Sequence, residues 1–342
     1  MVASARPHDH ARDHCRNGSP TGPVTADLST PPLSLSVVIP ARDAAEVIDG
    51  CLEALLAQDV ELEFDVIVAT GPSGDDTAAR VDAWAVRDPR VRRIENPSGL
   101  TPAALNRAIA ESSGDLVVRV DAQAEVPQGY LQRVLDTAGR TGAGNVGGIQ
   151  QAVGASGWSN PIAVAMGSRF GAGPAQFRSG SFEGPTDTVY LGAFRRAALD
   201  EVGGYDETLV RNQDYELNWR LRQAGYLVWL DPGLVVDYTP RGSLRALWSQ
   251  YFEYGRWKRV VLLRHPQSLR ARQVAAPGLV FGLVASLVLV IVGSWLGLVL
   301  PAAYGVTVVG FAARSGGAPK LQVAFAFVTM HLAWGAGFLF GR

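Results

Sequence analysis

Along the chain, short apolar runs alternate with stretches in which apolar residues recur at helical spacing. Leu35-Ser36-Val37-Val38-Ile39-Pro40 is a β-branched run stopped by proline and predicts a strand. From Ala44 to Gln58 the apolar residues Val47, Ile48, Cys51, Leu52, Leu55 and Leu56 follow the i, i+3, i+4, i+7 rule of an amphipathic helix. Phe64 to Ala69 predicts a second strand, which runs into a loop of turn formers from Thr70 to Thr77. A helix is expected from Thr77 to Ala85, a strand from Val91 to Ile94, and a helix from Thr101 to Ser112. Thr101 is the expected N-cap of that last helix, with Pro102 in the first helical position. Leu116, Val117, Val118 and Val120 then surround a single Arg119 in a run that ends at Asp121, with Gly114 before it and Val126-Pro127 after it. Such a run reads as a buried strand.

The rest of the main segment continues the alternation. Helices are expected at Pro127 to Ala138, at Arg196 to Val202 before Gly203-Gly204, and at Asp214 to Ala224 before Gly225. Strands are expected at Gly142 to Gln151, Thr188 to Phe194, Tyr226 to Leu230 and Leu234 to Tyr238. Residues 154–187 are rich in Gly, Ser, Pro and aromatics without periodicity and read as one long loop. The pattern predicts a parallel-type, doubly wound α/β sheet with right-handed crossovers. In such sheets ligands bind beyond the carboxyl ends of the strands, where Asp121 stands. A carboxylate there holds a divalent cation against a diphosphate, or it caps the next turn.

Residues 275–313 contain no charged side chain, enough for two short membrane spans with a turn at Gly293-Ser294 or Pro301. Residues 321–340 form a third apolar stretch in which His331 is the one ionisable group, read as a neutral histidine inside a bundle. Arg241, Arg245, Arg256, Lys258, Arg259, Arg264, Arg270 and Arg272 gather before the first span. By the positive-inside rule this segment and the domain before it face the cytoplasm, giving a multi-pass cell-membrane protein with three spans and an external C-terminus. Basic and aromatic residues interleave from Ala246 to Trp257, which fits a helix at the membrane interface or one packed on the main domain. The expected division is a disordered tail over 1–33, a main domain over 34–240, a basic and aromatic segment over 241–274, and an anchor of about three transmembrane helices over 275–342.

Composition sharpens this picture. Of 342 residues, 47% are hydrophobic and 18% charged, an apolar excess that sits at the C-terminus. A net charge of −1 argues against a nucleic-acid partner. Cys15 and Cys51 supply neither a disulfide framework nor a metal spacing, which fits a reducing cytosol. His8, His10, His14 and Cys15 cluster in the tail, where a flexible polar segment is preferred over a metal site. No apolar run follows the N-terminus, so a cleaved signal peptide is not expected. The turn after the first strand, Pro40-Ala41-Arg42-Asp43, lacks the Gly-x-Gly-x-x-Gly of dinucleotide sites, and no P-loop is present.

The motifs in order carry a resemblance. Ile39 to Asp43, Ser73-Gly74-Asp75-Asp76-Thr77, Asn96-Pro97 with Ala103-Ala104-Leu105-Asn106, Asp121-Ala122-Gln123, Gly203 to Glu207, and Gln213-Asp214-Tyr215-Glu216-Leu217 with Arg220-Leu221 resemble the successive motifs of glycosyltransferase family 2 over roughly residues 35–240. The resemblance implies a GT-A fold: a doubly wound mixed sheet that binds a nucleotide sugar, followed here by C-terminal transmembrane helices. It implies an inverting mechanism and a divalent metal, Mg2+ or Mn2+, on Asp121 and Gln123. It places Pro40, Ala41, Asp43, Thr70, Ser73, Asp75, Asn106, Asp121 and Ala122 at the nucleotide sugar and makes Asp214 the catalytic base. Arg119-Val120-Asp121-Ala122, the Tyr251 to Lys258 segment and the apolar C-terminus are most similar to the ExoA type that builds exopolysaccharide.

Departures from the family pattern bear on specificity. Thr70 stands near the place of an aspartate that reads the base, so a UDP donor is an expectation only. Gln123 replaces the second Asp of Asp-x-Asp, which lowers the expected metal affinity. Gln213 stands where glutamate is frequent. Between Gln250 and Arg256-Trp257 the spacing differs from the Gln-x-x-Arg-Trp of processive synthases, so processive synthesis is the minor alternative. The expected function is transfer of one hexose to a lipid-linked or growing glycan acceptor in exopolysaccharide or cell-envelope synthesis, with glycan-assembly proteins as compatible partners. A non-catalytic nucleotide-sugar-binding membrane module is the rival, motivated by the altered Asp121-Ala122-Gln123. A transporter is disfavoured, because the apolar stretches hold little intramembrane polar chemistry.

Overall fold

The computed structural model describes residues 31–173, 175–179 and 182–341. The tail over residues 1–30, with its histidines and Cys15, lies outside the described residues.

The main domain runs β1 (Leu35–Ala41), α1 (Ile48–Leu56), β2 (Phe64–Thr70), α2 (Thr77–Arg87), β3 (Val91–Glu95), α3 (Thr101–Glu111), β4 (Leu116–Arg119), α4 (Tyr130–Thr141), β5 (Asn145–Ala152), α5 (Ser159–Gly167), α6 (Gln176–Ser179), β6 (Gly184–Pro185), β7 (Tyr190–Arg195), α7 (Arg196–Val202), α8 (Gln213–Gln223) and β8 (Val228–Tyr238). The eight strands form one sheet in the order β3-β2-β1-β4-β7-β5-β8-β6. β1 to β4 are mutually parallel, as the alternation predicts. β7 enters antiparallel to both β4 and β5, and β6 antiparallel to β8, so the sheet is mixed. The period of two along each strand feeds two cores, one on each face. Val37, Ile39, Leu116, Val118 and Val120 pack with α1 and α4, while Val38 and Val117 pack with α3, α7 and α8.

Several sequence expectations change at this level. Leu100, not Thr101, is the N-cap of α3, and no side chain caps it; the entering turn is held instead by Asn96 Nδ2 donating to Leu100 O at 3.0 Å. The helix expected from Ala44 begins at Ile48. The two strands expected between Tyr226 and Tyr238 are one strand, β8, whose register against β5 shifts between Gly147 and Ile149. The segment 154–187 is not a single loop: it holds α5, α6 and β6. α5 shows no one-sided pattern because it is enclosed by the C-terminal helices, with Ile162, Ala165 and Met166 all buried among them.

Beyond the sheet come α9 (Leu244–Arg264), α10 (Ala275–Ile291), α11 (Val299–Arg314) and α12 (Lys320–Phe340). Three helical stretches, 271–291, 295–314 and 320–340, are long and apolar enough to cross a membrane. The turn between the first two falls at Gly293, φ 84°, rather than at Pro301. α9 packs along α12, so closely that glycine is required: a Cβ on Gly255 would stand 2.0 Å from Trp334 O, and one on Gly337 2.0 Å from Phe252 O. α12 is tied to the main domain at its start, where Asn160 Nδ2 donates to Gly317 O at 2.7 Å. At its end Arg259 of α9 donates to Leu339 O and Gly341 O at 3.3 and 3.4 Å.

Candidate active site

β4 ends at Arg119, and one further ladder bond, Val120 N to Val38 O at 3.1 Å, carries the sheet to the edge of Asp121. Alternation sends Arg119 to the face of Val117, towards α8. Its side chain is 8% exposed, and it holds two carboxylates at once: Nε donates to Asp121 Oδ1 at 2.9 Å, and Nη1 donates to Asp214 Oδ1. A buried guanidinium must be paired. Here the pairing joins the expected metal residue to the expected base. Two carboxylates against one cation leave the cluster formally one charge negative.

Asp214 sits in the first turn of α8, entered through Asn212 in the left-handed region at φ 61°. Asn tolerates that backbone better than most residues, and its Nδ2 is anchored on Tyr254 O of α9 at 3.2 Å. Although 41% of the Asp214 side chain faces the crevice, burial dominates its titration and raises its pKa. The Arg119 charge pulls the other way, and the neighbouring Asp121 adds to the rise. The phenol of Tyr205 stands buried beside the same cluster, held protonated by that burial.

Asp121 keeps Oδ2 without a protein partner among the described residues, and Gln123 is exposed next to it. Ala122 between them is buried. Among the described residues no three His, Cys, Asp or Glu side chains converge as a metal cluster. One carboxylate oxygen and one amide oxygen fit a divalent ion that takes its remaining ligands from a diphosphate and water.

The carboxyl ends of β1 and β2 bring together Pro40, Ala41, Asp43, Thr70, Ser73 and Asp75. Pro40 and Ala41 pair with Ala69 and Thr70 across the sheet. Asp43, at φ 48°, donates its N–H to Ser73 Oγ at 3.1 Å and accepts from Gly74 N at 2.8 Å. Asp75 accepts from Ala45 N at 3.0 Å and from the Thr77 hydroxyl, bonds that lower its pKa, the Thr77 bond most. The two loops are therefore locked to each other. Thr70 Oγ accepts from Arg93 Nη1 at 3.2 Å, so a guanidinium stands beside Thr70. Asn106 is placed apart: its amide clamps the turn after α7, accepting from Tyr205 N at 2.8 Å and donating to Tyr205 O and Glu207. Glu216 is buried, held by Arg220 Nε at 2.7 Å and by His265 Nε2 at 3.0 Å, and supports α8 from below. Gln213, beside Asp214, is buried as well.

On the far side of Asn212 a cavity of about 660 Å³ opens between the main domain and the C-terminal helices. Tyr251 and Tyr254 of α9, His331 and Trp334 of α12, and Arg178 and Arg272 line it. Sequence reasoning missed the role of Arg119 and this cavity. A lone arginine inside a buried apolar strand, two residues before the aspartate, was the available signal for the first.

Residues 36–203 match the family described as glycosyl transferase family 2. The chain is 35% identical over 324 residues to the succinoglycan biosynthesis protein ExoA of Rhizobium meliloti, covering 92% of this chain and 96% of that protein. It is 24% identical over 240 residues to a dolichyl N-acetyl-α-D-glucosaminyl phosphate diacetamidodideoxyglucuronosyltransferase of Methanococcus voltae, covering 67% of this chain and 74% of that one. Its fold is similar to that of the mannosyltransferase PcManGT from Pyrobaculum calidifontis, solved with GDP-Man and Mn2+, at a TM-score of 0.64 and 18% identity over 92% of this chain and 90% of that one. A mixed GT-A-like sheet, ordered motifs and near full-length similarity converge: the chain belongs to glycosyltransferase family 2 and is of the ExoA type.

Proposed function

We propose that the protein is an inverting hexosyltransferase that moves one sugar from a nucleotide diphosphate donor to a lipid-linked glycan acceptor at a membrane surface. The observation that carries this is the Arg119 bridge, which fixes Asp121 and Asp214 on either side of one guanidinium, with the cavity beginning behind Asn212. The donor's diphosphate would lie at the ends of β1, β2 and β4. A divalent ion held by Asp121 and Gln123 would neutralise the charge that develops on the leaving diphosphate. Asp214 takes the proton of the acceptor hydroxyl as its oxygen bonds to the anomeric carbon. Arg119 opposes the rise that burial gives the Asp214 pKa, and direct displacement by the acceptor inverts the anomeric centre. The similarity to a succinoglycan biosynthesis protein supports an exopolysaccharide setting, with a UDP-sugar as the first donor to try.

The packing of the helices supports one membrane arrangement. α10 and α11 are largely unenclosed, only 17% of each apolar window being buried, against 39% for α12. α12 runs beside α9, whose end is fastened to the main domain by Arg264 with Asp206 and by His265 with Glu216. Both ends of α12 are thus held at the main domain, and a bilayer would have to admit the charges of α9 for α12 to cross it. We infer that α10 and α11 form a two-span hairpin and that α12 lies flat beneath the domain. This reading replaces three spans by two and brings the C-terminus to the side of the main domain. The basic residues of α9 support a cytoplasmic position for that side by the positive-inside rule.

The test is nucleotide release by full-length protein in detergent, over a panel of nucleotide sugars, with Mn2+ or with chelator, and with and without a membrane lipid extract. Release with one donor, lost on chelation and stimulated by the extract, is expected. Donor binding without release under any condition would support the rival, a nucleotide-sugar-binding module.

A further inference from the structure

α8 uses two faces. Asp214 turns to β4, while Tyr215, Trp219 and Arg222 turn to α9 and to the linker that leads into α10. Tyr215 Oη donates to Ser268 O at 2.6 Å, and the ring of Trp219 lies against His265 with centroids 4.1 Å apart. Lys258 of α9 enters this junction at 4% exposure, its Nζ 3.0 Å from the centre of the Tyr215 ring. That ammonium has no hydrogen-bond partner among the described residues, and neither do Nε and Nη2 of Arg222 or Oγ of Ser268, which is 2% exposed. Arg270 and Arg272 complete the charge around them, and one carboxylate, Asp187, answers it by pairing with Arg272.

Four basic side chains and one acid, with several buried donors unmet, is a costly arrangement on its own. Water would satisfy the donors and leave the charge. An oxyanion with several acceptor oxygens satisfies both, and guanidinium forks suit phosphate oxygens in particular. Burial pulls the Lys258 pKa down to about 6; Asp187 pushes back, and the three arginines reinforce the fall. Arg272 also lines the 660 Å³ cavity, so the cluster adjoins it.

We propose that Lys258, Arg222, Arg272 and Ser268 form a second anion site, distinct from that of the donor diphosphate, which takes the phosphate of a phosphate ester or free phosphate. The binding claim stands without the transfer reaction. Its use, holding the phosphate of a lipid-linked acceptor while the sugar end reaches Asp214, rests on the function proposed above.

The experiment measures thermal unfolding of the full-length protein titrated with inorganic phosphate in detergent. It is repeated in nanodiscs of phosphatidylcholine with and without a few per cent of a polyprenyl phosphate. The expected result is a rise in melting temperature with at least one probe, with binding weakened about tenfold or more in Lys258→Met and Arg222→Gln. A response to the lipid alone identifies a headgroup as the source, and a response to inorganic phosphate alone identifies a soluble one; either supports the site. No response to either probe, or a wild-type response in the variants, overturns it. Should Lys258→Met fail to fold, the half-exposed Arg222→Gln decides. Neither variant touches Arg119, Asp121 or Asp214, so phosphate binding that survives where no donor is turned over would sink the transferase reading and leave the site standing.

Discussion

Two carboxylates and one guanidinium share the end of β4, and the chemistry assigned to them can be separated residue by residue. Asp214→Asn keeps the shape of the proposed base and removes its proton affinity. Turnover should fall by about 10²–10⁴-fold while donor binding persists, read by nucleotide release and by donor titration. Arg119 is a positioning residue. Its charge lowers the Asp214 pKa that burial raises, so Arg119→Gln should raise it further. The base works deprotonated, and the acid limb of the rate profile should then move to higher pH. An unmoved limb would separate Asp214 from the base role. Asp121, Gln123 and Asp214 were legible in the sequence as candidate site residues through motif order. The bridge between them was not, because it depends on a strand and a helix 95 residues apart meeting across the sheet. Asn106 was legible as a motif residue, but its amide is spent on the turn at Tyr205, a contact that no local pattern announces.

At the scale of elements, β1 to β4 and α1 to α4 were readable because each carries its own period and its own stop signal. β7 was readable as a strand, but its direction was not: an antiparallel neighbour is chosen by the connection through α5 and α6, which the sequence disguised as loop. α9 shows the same limit. Its mixture of basic and aromatic residues reads as an interface helix, yet what fixes it is the glycine contact with α12. Gly337→Val should cost about 1–3 kcal/mol through overpacking, seen as a lower melting temperature in detergent with the α9–α12 contact loosened. Lys258 on the same helix makes a pH prediction. Its folded pKa of about 6 lies below the ordinary 10.5. Between those values the unfolded chain binds more protons, so stability should rise with pH by up to about 1.4 kcal/mol per unit. The groups facing it are Tyr215, Asp187, Arg222, Arg270 and Arg272. Lys258→Met should flatten that slope in unfolding curves recorded between pH 7 and 10.

At the scale of the whole molecule, the apolar C-terminus was read correctly as helices able to enter a membrane. The two-span disposition is a proposal beyond that reading, because hydropathy measures what a helix can do in lipid and says nothing about what it packs against. The geometry gives a sharp expectation. A reporter fused after residue 341 should lie on the same side of the membrane as the main domain, and a tag inserted at Gly293-Ser294 on the opposite side. Labelling of intact and opened cells distinguishes the two faces. A C-terminus found on the far side would restore three spans and break the α9–α12 pairing.

α12 forms a wall of the cavity through His331 and Trp334. Arg119, Asp121 and Asp214 precede His331 and Trp334 in the chain, so the residues of the candidate site are synthesised before those that wall the cavity. During synthesis the chain would pass through a stage in which the sheet domain is complete and the cavity still lacks the wall supplied by α12. Chains stalled or clipped before α12 would lack that wall and, on the acceptor role proposed above, would be unable to draw on lipid carriers.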